Sequence, residues 1–217
     1  MRDIHSHILP GVDDGAATLE ESLEMLEAAK RAGVTSIVCT PHCRDPYFDF
    51  DAMHAAFEEL VAHAEGFPLQ MGFEVNVRKL RELGMDWAER LAFEGTNEFL
   101  LELSTRADAR EFREYEQVIY ELQGRGLTVI VAHPERYRAV QEDAEVARRL
   151  VRMGCKLQAS ADFVDGGRFG REKRPAKLLF SEMLYHYIAS DAHHAGHYEC
   201  LVRARKEYRV RPAHARL

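Results

Sequence analysis

Eight side chains able to bind a metal ion stand at the carboxyl ends of short apolar runs spread over the chain: His5, His7, His42, Glu74, Glu102, His133, Asp191 and His193. The runs, 2–5, 34–40, 69–75, 99–103, 128–132 and 185–190, read as buried strands. In a parallel β/α architecture the carboxyl ends converge on one face, where loops from different strands assemble the site. One such residue after one strand means little. Their recurrence predicts a shared, multinuclear metal site.

Amphipathic stretches alternate with these runs. Thr18-Leu-Glu-Glu21 is a capping box that opens a helix with Leu19, Leu23, Leu26 and Ala29 on one face and Gly33 at its end. Further helices are predicted over 51–64, 78–92, 109–125, 142–153, 175–184 and 199–208. The alternation is βα throughout, with no linker, fixed-period repeat or low-complexity tract, so one domain over 1–217 is expected. A chain of 217 residues is short for an eight-unit barrel of about 250 and better suited to seven units. Two loops stand out: 42–50 is aromatic, and 162–174 is Gly-rich and basic, either of them a lid, a substrate loop or a plain connection.

Composition removes several function classes. A net charge of −7 argues against a nucleic-acid surface, which needs a basic stripe. No apolar run approaches the roughly 20 residues of a membrane span. The opening MRDIHSHILPG lacks the apolar core of a secretory peptide, so a cytoplasmic location is expected. The four cysteines, Cys39, Cys43, Cys155 and Cys200, form no C-x-x-C pair and read as buried thiols. Thiol-based phosphatase chemistry needs an Arg with five residues between it and the Cys. The residues at that place are Asp45, Asp49, Ala161 and Lys206.

His5-Ser-His7 sets two imidazoles on one side of an extended chain, because strand side chains alternate with period two. A buried Glu is costly unless paired or metal-bound, which marks Glu74 and Glu102 as ligands. Mixed imidazole and carboxylate donors suit manganese, iron or zinc better than calcium. Eight donors exceed the needs of one ion that keeps positions open for water and substrate, so two or three are implied. Carboxylates such as Glu102 can bridge ions about 3.5–4 Å apart, the usual solution for phosphate-ester hydrolysis. Arg136, three residues beyond His133, can meet phosphoryl oxygens in bidentate fashion and is expected to touch substrate and not the ions; its alternative is an ion pair with Glu135. Asp14 is a candidate acid for the leaving oxygen, with turn formation before Gly15 the alternative for it and Asp13. Tyr47, Phe48 and Phe50 either flank an incoming ring or pack locally. His54, His63, His186, His194 and His214 are assigned nothing.

The segments DIHSHILPGVDDG, TPH, GFEVN, LLELS, VIVAHPERY and IASDAHH, in order from Met1 to about His194, resemble the polymerase and histidinol phosphatase (PHP) superfamily. More closely, they are similar to its bacterial capsule-associated protein-tyrosine phosphatases. The resemblance implies a distorted (β/α)7 TIM-like barrel of PHP type, a trinuclear site with manganese as first choice, and hydrolysis of phosphotyrosine by a metal-bridged hydroxide. By motif position it makes all eight residues ligands, gives Arg136 to the phosphate, and suggests the tail of a capsule-synthesis tyrosine kinase as partner. Relatives carry an Arg-Pro pair after the SDAH segment whose Arg helps bind phosphate. Here HHAGHYECLV lacks it, and His197 is the candidate substitute. The family's QINA-like strand reads Gln158-Ala-Ser160.

Three other functions compete. A small-molecule phosphatase acting on histidinol phosphate could use the same metals. An amidohydrolase would show a strand-end Lys, which is missing from these runs. A non-catalytic, metal-stabilised binding module would be expected to have lost ligands that are all present here.

Overall fold

A computed structural model describes residues 1–211, so His214 and the last six residues of the expected domain lie outside the described part. Nine strands are parallel wherever they pair: β1 (Arg2–Ser6), β2 (Ser36–Cys39), β3 (His42–Cys43), β4 (Leu69–Met71), β5 (Glu74–Asn76), β6 (Glu98–Glu102), β7 (Thr128–Ala132), β8 (Lys156–Ser160) and β9 (Tyr187–Ala189). They form one sheet in the order β1-β2-β4 and another in the order β3-β5-β6-β7-β8-β9.

Two of the expected strands are each broken in two. The run 34–40 stops at Pro41, which has no N–H for the ladder, and resumes as β3. The run 69–75 breaks at Gly72, whose missing side chain leaves room for Phe93 and Val38. The breaks stay in register, for Glu74 N donates to Pro41 O at 3.1 Å. At the far side, Ser6 bridges Ala192 in parallel, and Asp191 N donates to His5 O at 2.9 Å, so the first and last strands meet. Strand β8 joins the six runs read from sequence as a further strand.

Helices α1 (Leu19–Arg31), α2 (Phe50–His63), α3 (Val77–Leu83), α4 (Ala88–Leu91), α5 (Ala109–Gly124), α6 (Arg138–Glu142), α7 (Glu145–Arg152), α8 (Lys173–Ser181) and α9 (His197–Glu207) fill the connections. Thr18 caps α1 as expected by accepting from Glu21 N, while the Glu21 carboxylate accepts from Ala17 N rather than from Thr18. The predicted helix 78–92 is interrupted at Gly84, whose φ of 89° ends α3 before a 3-10 turn leads into α4. The predicted helix 142–153 begins later, because Asp143 is extended between α6 and α7. The main apolar core packs helices onto strands. A smaller cluster of Ile4, Val38, Phe93, Leu100, Ile130, Ala132 and Ala189 draws on both sheets and fills the space beneath the strand ends. No helix among the described residues is long and apolar enough to cross a membrane.

Candidate metal centre

All eight residues singled out by sequence come together at the carboxyl ends of the strands, and Glu74 is their hub. Its Oε1 lies 2.7 Å from His133 Nε2 and 3.6 Å from His5 Nε2. Its Oε2 lies 2.6 Å from His42 Nδ1 and 3.5 Å from His7 Nε2. Each oxygen thus faces its own pair of imidazoles. Glu102 groups with His42 and Glu74 and accepts from Asn76 Nδ2 at 3.0 Å. Asp191 Oδ1 stands 3.3 Å from both His5 Nε2 and His7 Nε2.

These close approaches are not hydrogen bonds in the main. His42 Nδ1 and Glu74 Oε2, 2.6 Å apart, both lack a hydrogen-bond partner, as do the buried His193 Nε2 and Asp14 Oδ1. Buried polar atoms are nearly always paired, so several unpaired ones aimed at a common space call for a cation. Candidate ligand atoms group within 4.8 Å of one another in three sets: His5, His7 and Glu74; His7, Asp14, His42 and His193; and His42, Glu74 and Glu102. The donor chemistry and the crowding fit a metal cluster.

The imidazoles are aimed by what holds their other nitrogen. His7 Nδ1 donates to Asp13 Oδ2 at 2.7 Å, His5 Nδ1 to Gln158 Oε1 at 3.0 Å, and His193 Nδ1 to Asp191 O at 2.9 Å. Each bond fixes the tautomer and turns Nε2 inward, as metal-binding histidines require. Asp13 also accepts from His42 N and Gly15 N. Gly15 permits this loop, because a Cβ there would lie 2.0 Å from His7 O. His133 and Asp191 adopt φ of 31° and 49°, left-handed values that are uncommon outside glycine and often mark functional sites.

The charges are consistent with the geometry. Burial lowers the His5 and His42 pKa values, but facing carboxylates outweigh it: Asp191 and Glu74 push His5 up to about 10, and chiefly Glu74 and Asp14 push His42 up to about 9. Burial raises Asp13, yet His7 overrides it and holds the carboxyl down at about 2. The facing carboxylates thus favour the charged form of His5 and His42.

Two sequence assignments change, those of Asp14 and His197, and Arg136 gains partners. Asp14, expected to protonate the leaving oxygen, lies 3.0 Å from His42 Nε2 and 3.5 Å from His193 Nε2, contacts that outweigh burial and hold it far below the usual carboxylate range. It is a further ligand-capable group and a poor acid. Arg136, expected to touch substrate, lines the pocket and has Nη1 2.7 Å from Asp191 Oδ2, while Nη2 donates to Ser160 Oγ and Asp162 Oδ2, each at 3.0 Å. Its pairing with Glu135 does not form, since that buried carboxyl accepts from Ser160 N and Tyr185 Oη, and burial pushes it up to about 8. His197, expected to replace a phosphate-binding Arg, instead accepts from His193 N through Nδ1 at 3.1 Å and stays outside the pocket.

That pocket, about 210 Å³, is lined by His42, Glu102, His133, Asp191 and His193 below and by Arg44, Thr105, Arg136, Arg168 and Phe169 around them. Sequence reasoning missed Arg44 and Arg168. Both guanidiniums reach Asp14 Oδ2, at 3.5 and 3.2 Å, and Arg44 Nη2 also lies 2.8 Å from His42 Nε2. The available signal was the basic, Gly-rich character of 162–174. Tyr47 stacks on His42, whereas Phe48 and Phe50 pack on Phe73 and Trp87, the local role.

The chain is a parallel α/β protein with a buried imidazole–carboxylate cluster at the carboxyl ends of its strands. The family model described as "Capsular polysaccharide synthesis, CpsB/CapC" matches residues 1–209, and the chain belongs to that family. It is 34% identical over 200 residues to tyrosine-protein phosphatase YwqE of Bacillus subtilis, covering 89% of this chain and 77% of that protein. It is 30% identical over 210 residues to tyrosine-protein phosphatase CpsB of Streptococcus agalactiae serotype V, covering 89% and 83%. A crystal structure from work on YwqE and on CpsB from Streptococcus pneumoniae, described as unique metal-dependent tyrosine phosphatases, superposes with a TM-score of 0.77 at 30% identity, covering 95% of this chain and 87% of that one.

Proposed function

We propose that the chain is a metal-dependent protein-tyrosine phosphatase whose hydrolytic centre is the cluster around Glu74. The observation that carries this reading is the Glu74 carboxylate with each oxygen facing two imidazoles beneath an arginine-rimmed pocket. His5, His7, His42, Glu74, Glu102, His133, Asp191 and His193, with Asp14 added, would hold two or three ions, manganese first, iron or zinc as alternatives. Bound there, such ions lower the pKa of water and neutralise phosphoryl oxygens.

The chain's own groups do the rest. Arg44 and Arg168 meet the phosphoryl oxygens from the rim, exchanging Asp14 for substrate. Arg136 holds Asp191 in place and adds positive charge beside the reacting group. Phe169, 55% exposed, offers an apolar wall to the phenyl ring. With Asp14 kept ionised, no strong acid serves the leaving oxygen. A phenolate of pKa about 10 needs one less than an alkoxide does, which favours tyrosine over serine esters.

The finer architecture follows the same reading. Counting β2 with β3 and β4 with β5 gives seven parallel strands closed by the Ser6–Ala192 bridge, a distorted (β/α)7 ring serving one catalytic domain. The natural substrate would be a phosphotyrosine protein such as a capsule-synthesis kinase tail, met in the cytoplasm. The test is turnover by the manganese-loaded chain of phosphotyrosine peptides, phosphoserine peptides and histidinol phosphate. Phosphotyrosine should be fastest. Faster histidinol phosphate would make the chain a small-molecule phosphatase, and no turnover with metal bound would leave a binding module.

A further inference from the structure

A second cavity, about 530 Å³, adjoins the metal pocket and shares Thr105, Arg136 and Phe169 with it. Arg106, Arg138 and Arg171 complete its charged lining, and no carboxylate lines it. In a chain of net charge −7 that concentration of guanidinium is unexpected on composition. Arg136 and Arg138 are already paired, with Asp191 and Asp162 and with Glu142. The Arg106 and Arg171 side chains make no ion pair or hydrogen bond among the described residues, although the Arg171 backbone N donates to Glu172. Positive φ at Gly166, Gly167 and Gly170 shapes the loop that carries Phe169 and Arg171 to this rim.

A further cavity, sharing Arg44, Glu102 and Thr105 with the metal pocket, is different. There Lys79 is paired with Asp45 at 2.6 Å and Glu82 at 3.4 Å, and Arg78 with Glu111 at 3.5 Å. Of these two cavities, only the Arg106–Arg171 one is lined by arginines without an ion pair among the described residues.

We propose that this second cavity is a substrate subsite that binds an acidic side chain, Asp or Glu, close to the phosphotyrosine in the peptide. The inference rests on the phosphotyrosine reading above. A peptide whose phosphotyrosine enters the metal pocket crosses the shared wall of Thr105 and Phe169, and a neighbouring residue then enters the arginine cavity. Its carboxylate meets Arg106 and Arg171 without displacing an existing partner, so the interaction costs no broken ion pair.

The test uses the manganese-loaded full chain with phosphotyrosine peptides carrying Glu, Ala or Lys at the positions flanking the phosphotyrosine, one position at a time, and p-nitrophenyl phosphate as a substrate with no flank. Glu at the favoured position should raise kcat/KM roughly fivefold over Ala, mainly through KM, with the gain shrinking at high salt. The double variant Arg106→Ala/Arg171→Ala should lose the preference. Arg106→Glu/Arg171→Glu should favour the Lys peptide. Both should hydrolyse p-nitrophenyl phosphate like the parent. Equal kcat/KM for Glu, Ala and Lys at every flank in an active enzyme overturns the subsite and leaves the phosphatase reading standing. No phosphotyrosine turnover by the metal-loaded parent overturns both.

Discussion

At the floor of the pocket His5, His7, Glu74 and Asp191 are at most 2% exposed, while on its rim the Arg44 and Arg168 side chains are 32% and 46% exposed. The floor crowds ligand atoms together: Glu74 Oε2 and His42 Nδ1 stand 2.6 Å apart. The rim has donors to spare, and two of its arginines rest on a single carboxylate, Asp14. Buried charge is tolerated only when compensated, so the floor makes sense once cations complete it. The rim is solvated and exchangeable. The proposed function gives chemistry to the floor and recognition to the rim, so the two should respond differently to mutation.

The hardest blow to the floor is Glu74→Gln. It preserves volume but removes the charge that faces four imidazoles, so bound metal and p-nitrophenyl phosphate turnover should fall together, the latter by about 10³-fold or more. Full metal content in the folded variant, by elemental analysis, would break the division. Cysteine is the control. Burial pushes Cys43 and Cys155 up to about 12 and raises Cys39 further, so none is a thiolate at neutral pH, and changing all four to Ala or Ser should leave turnover in place if the protein folds.

Arg136 tests where the floor ends. Arg136→Ala should lower kcat/KM on phosphotyrosine peptides by about 10²-fold, the loss expected for one stabilising donor. Because Nη1 grips Asp191, the variant should also bind metal more weakly. Lys should rescue poorly, since a point charge cannot hold Asp191, Ser160 and Asp162 together. Weaker turnover with parental metal affinity would move Arg136 to the rim.

The pH dependence of stability separates the filled floor from the empty one. Without metal, His5 and His42 carry pKa values of about 10 and 9, above the roughly 6.5 of an unfolded chain. Their stabilisation is complete below about 6.5 and is lost as pH rises through 9 to 10. The Tm of the chelated protein should fall from pH 7 to 10. Metal displaces those protons, so the loaded protein should show a flatter or opposite slope over the same range. Parallel melting curves in chelator and in manganese would mean that these imidazoles do not bind the ions.

The floor was legible in sequence and the rim was not, for a physical reason. Floor residues sit on strands or directly after them, where period two and the apolar run before them announce their direction: His5 and His7 share a side, and His133 directly follows β7. Strand β8 escaped the apolar pattern because its polar residues are all in use. Lys156 reaches Glu98 and Tyr187, Gln158 orients His5, and Ser160 bonds Asp191. Buried polar work looks like surface in one dimension. Arg44 and Arg168 come from loops whose paths depend on the whole fold; the composition of 162–174 hinted at Arg168, and nothing in 42–50 singled out Arg44.

The smallest effect expected is at Arg168, and it sharpens the comparison most. Its side chain is nearly half exposed, and its one carboxylate partner, Asp14, is shared with Arg44 and touches His42 and His193. Removing it leaves the ligand set intact, so Arg168→Ala should keep the parental metal content and melting temperature. It should lower kcat/KM on phosphotyrosine peptides by roughly tenfold at most, within the range of a partly solvated charge-assisted bond, and mainly through KM. The loss should shrink as ionic strength rises, because salt screens an exposed arginine more than a buried one. Arg168→Lys should recover part of the activity, unlike Arg136→Lys, since a rim cation supplies charge without having to brace a ligand. Metal loss in Arg168→Ala would show that the rim helps build the centre through Asp14, and the separation of floor from rim would fail there.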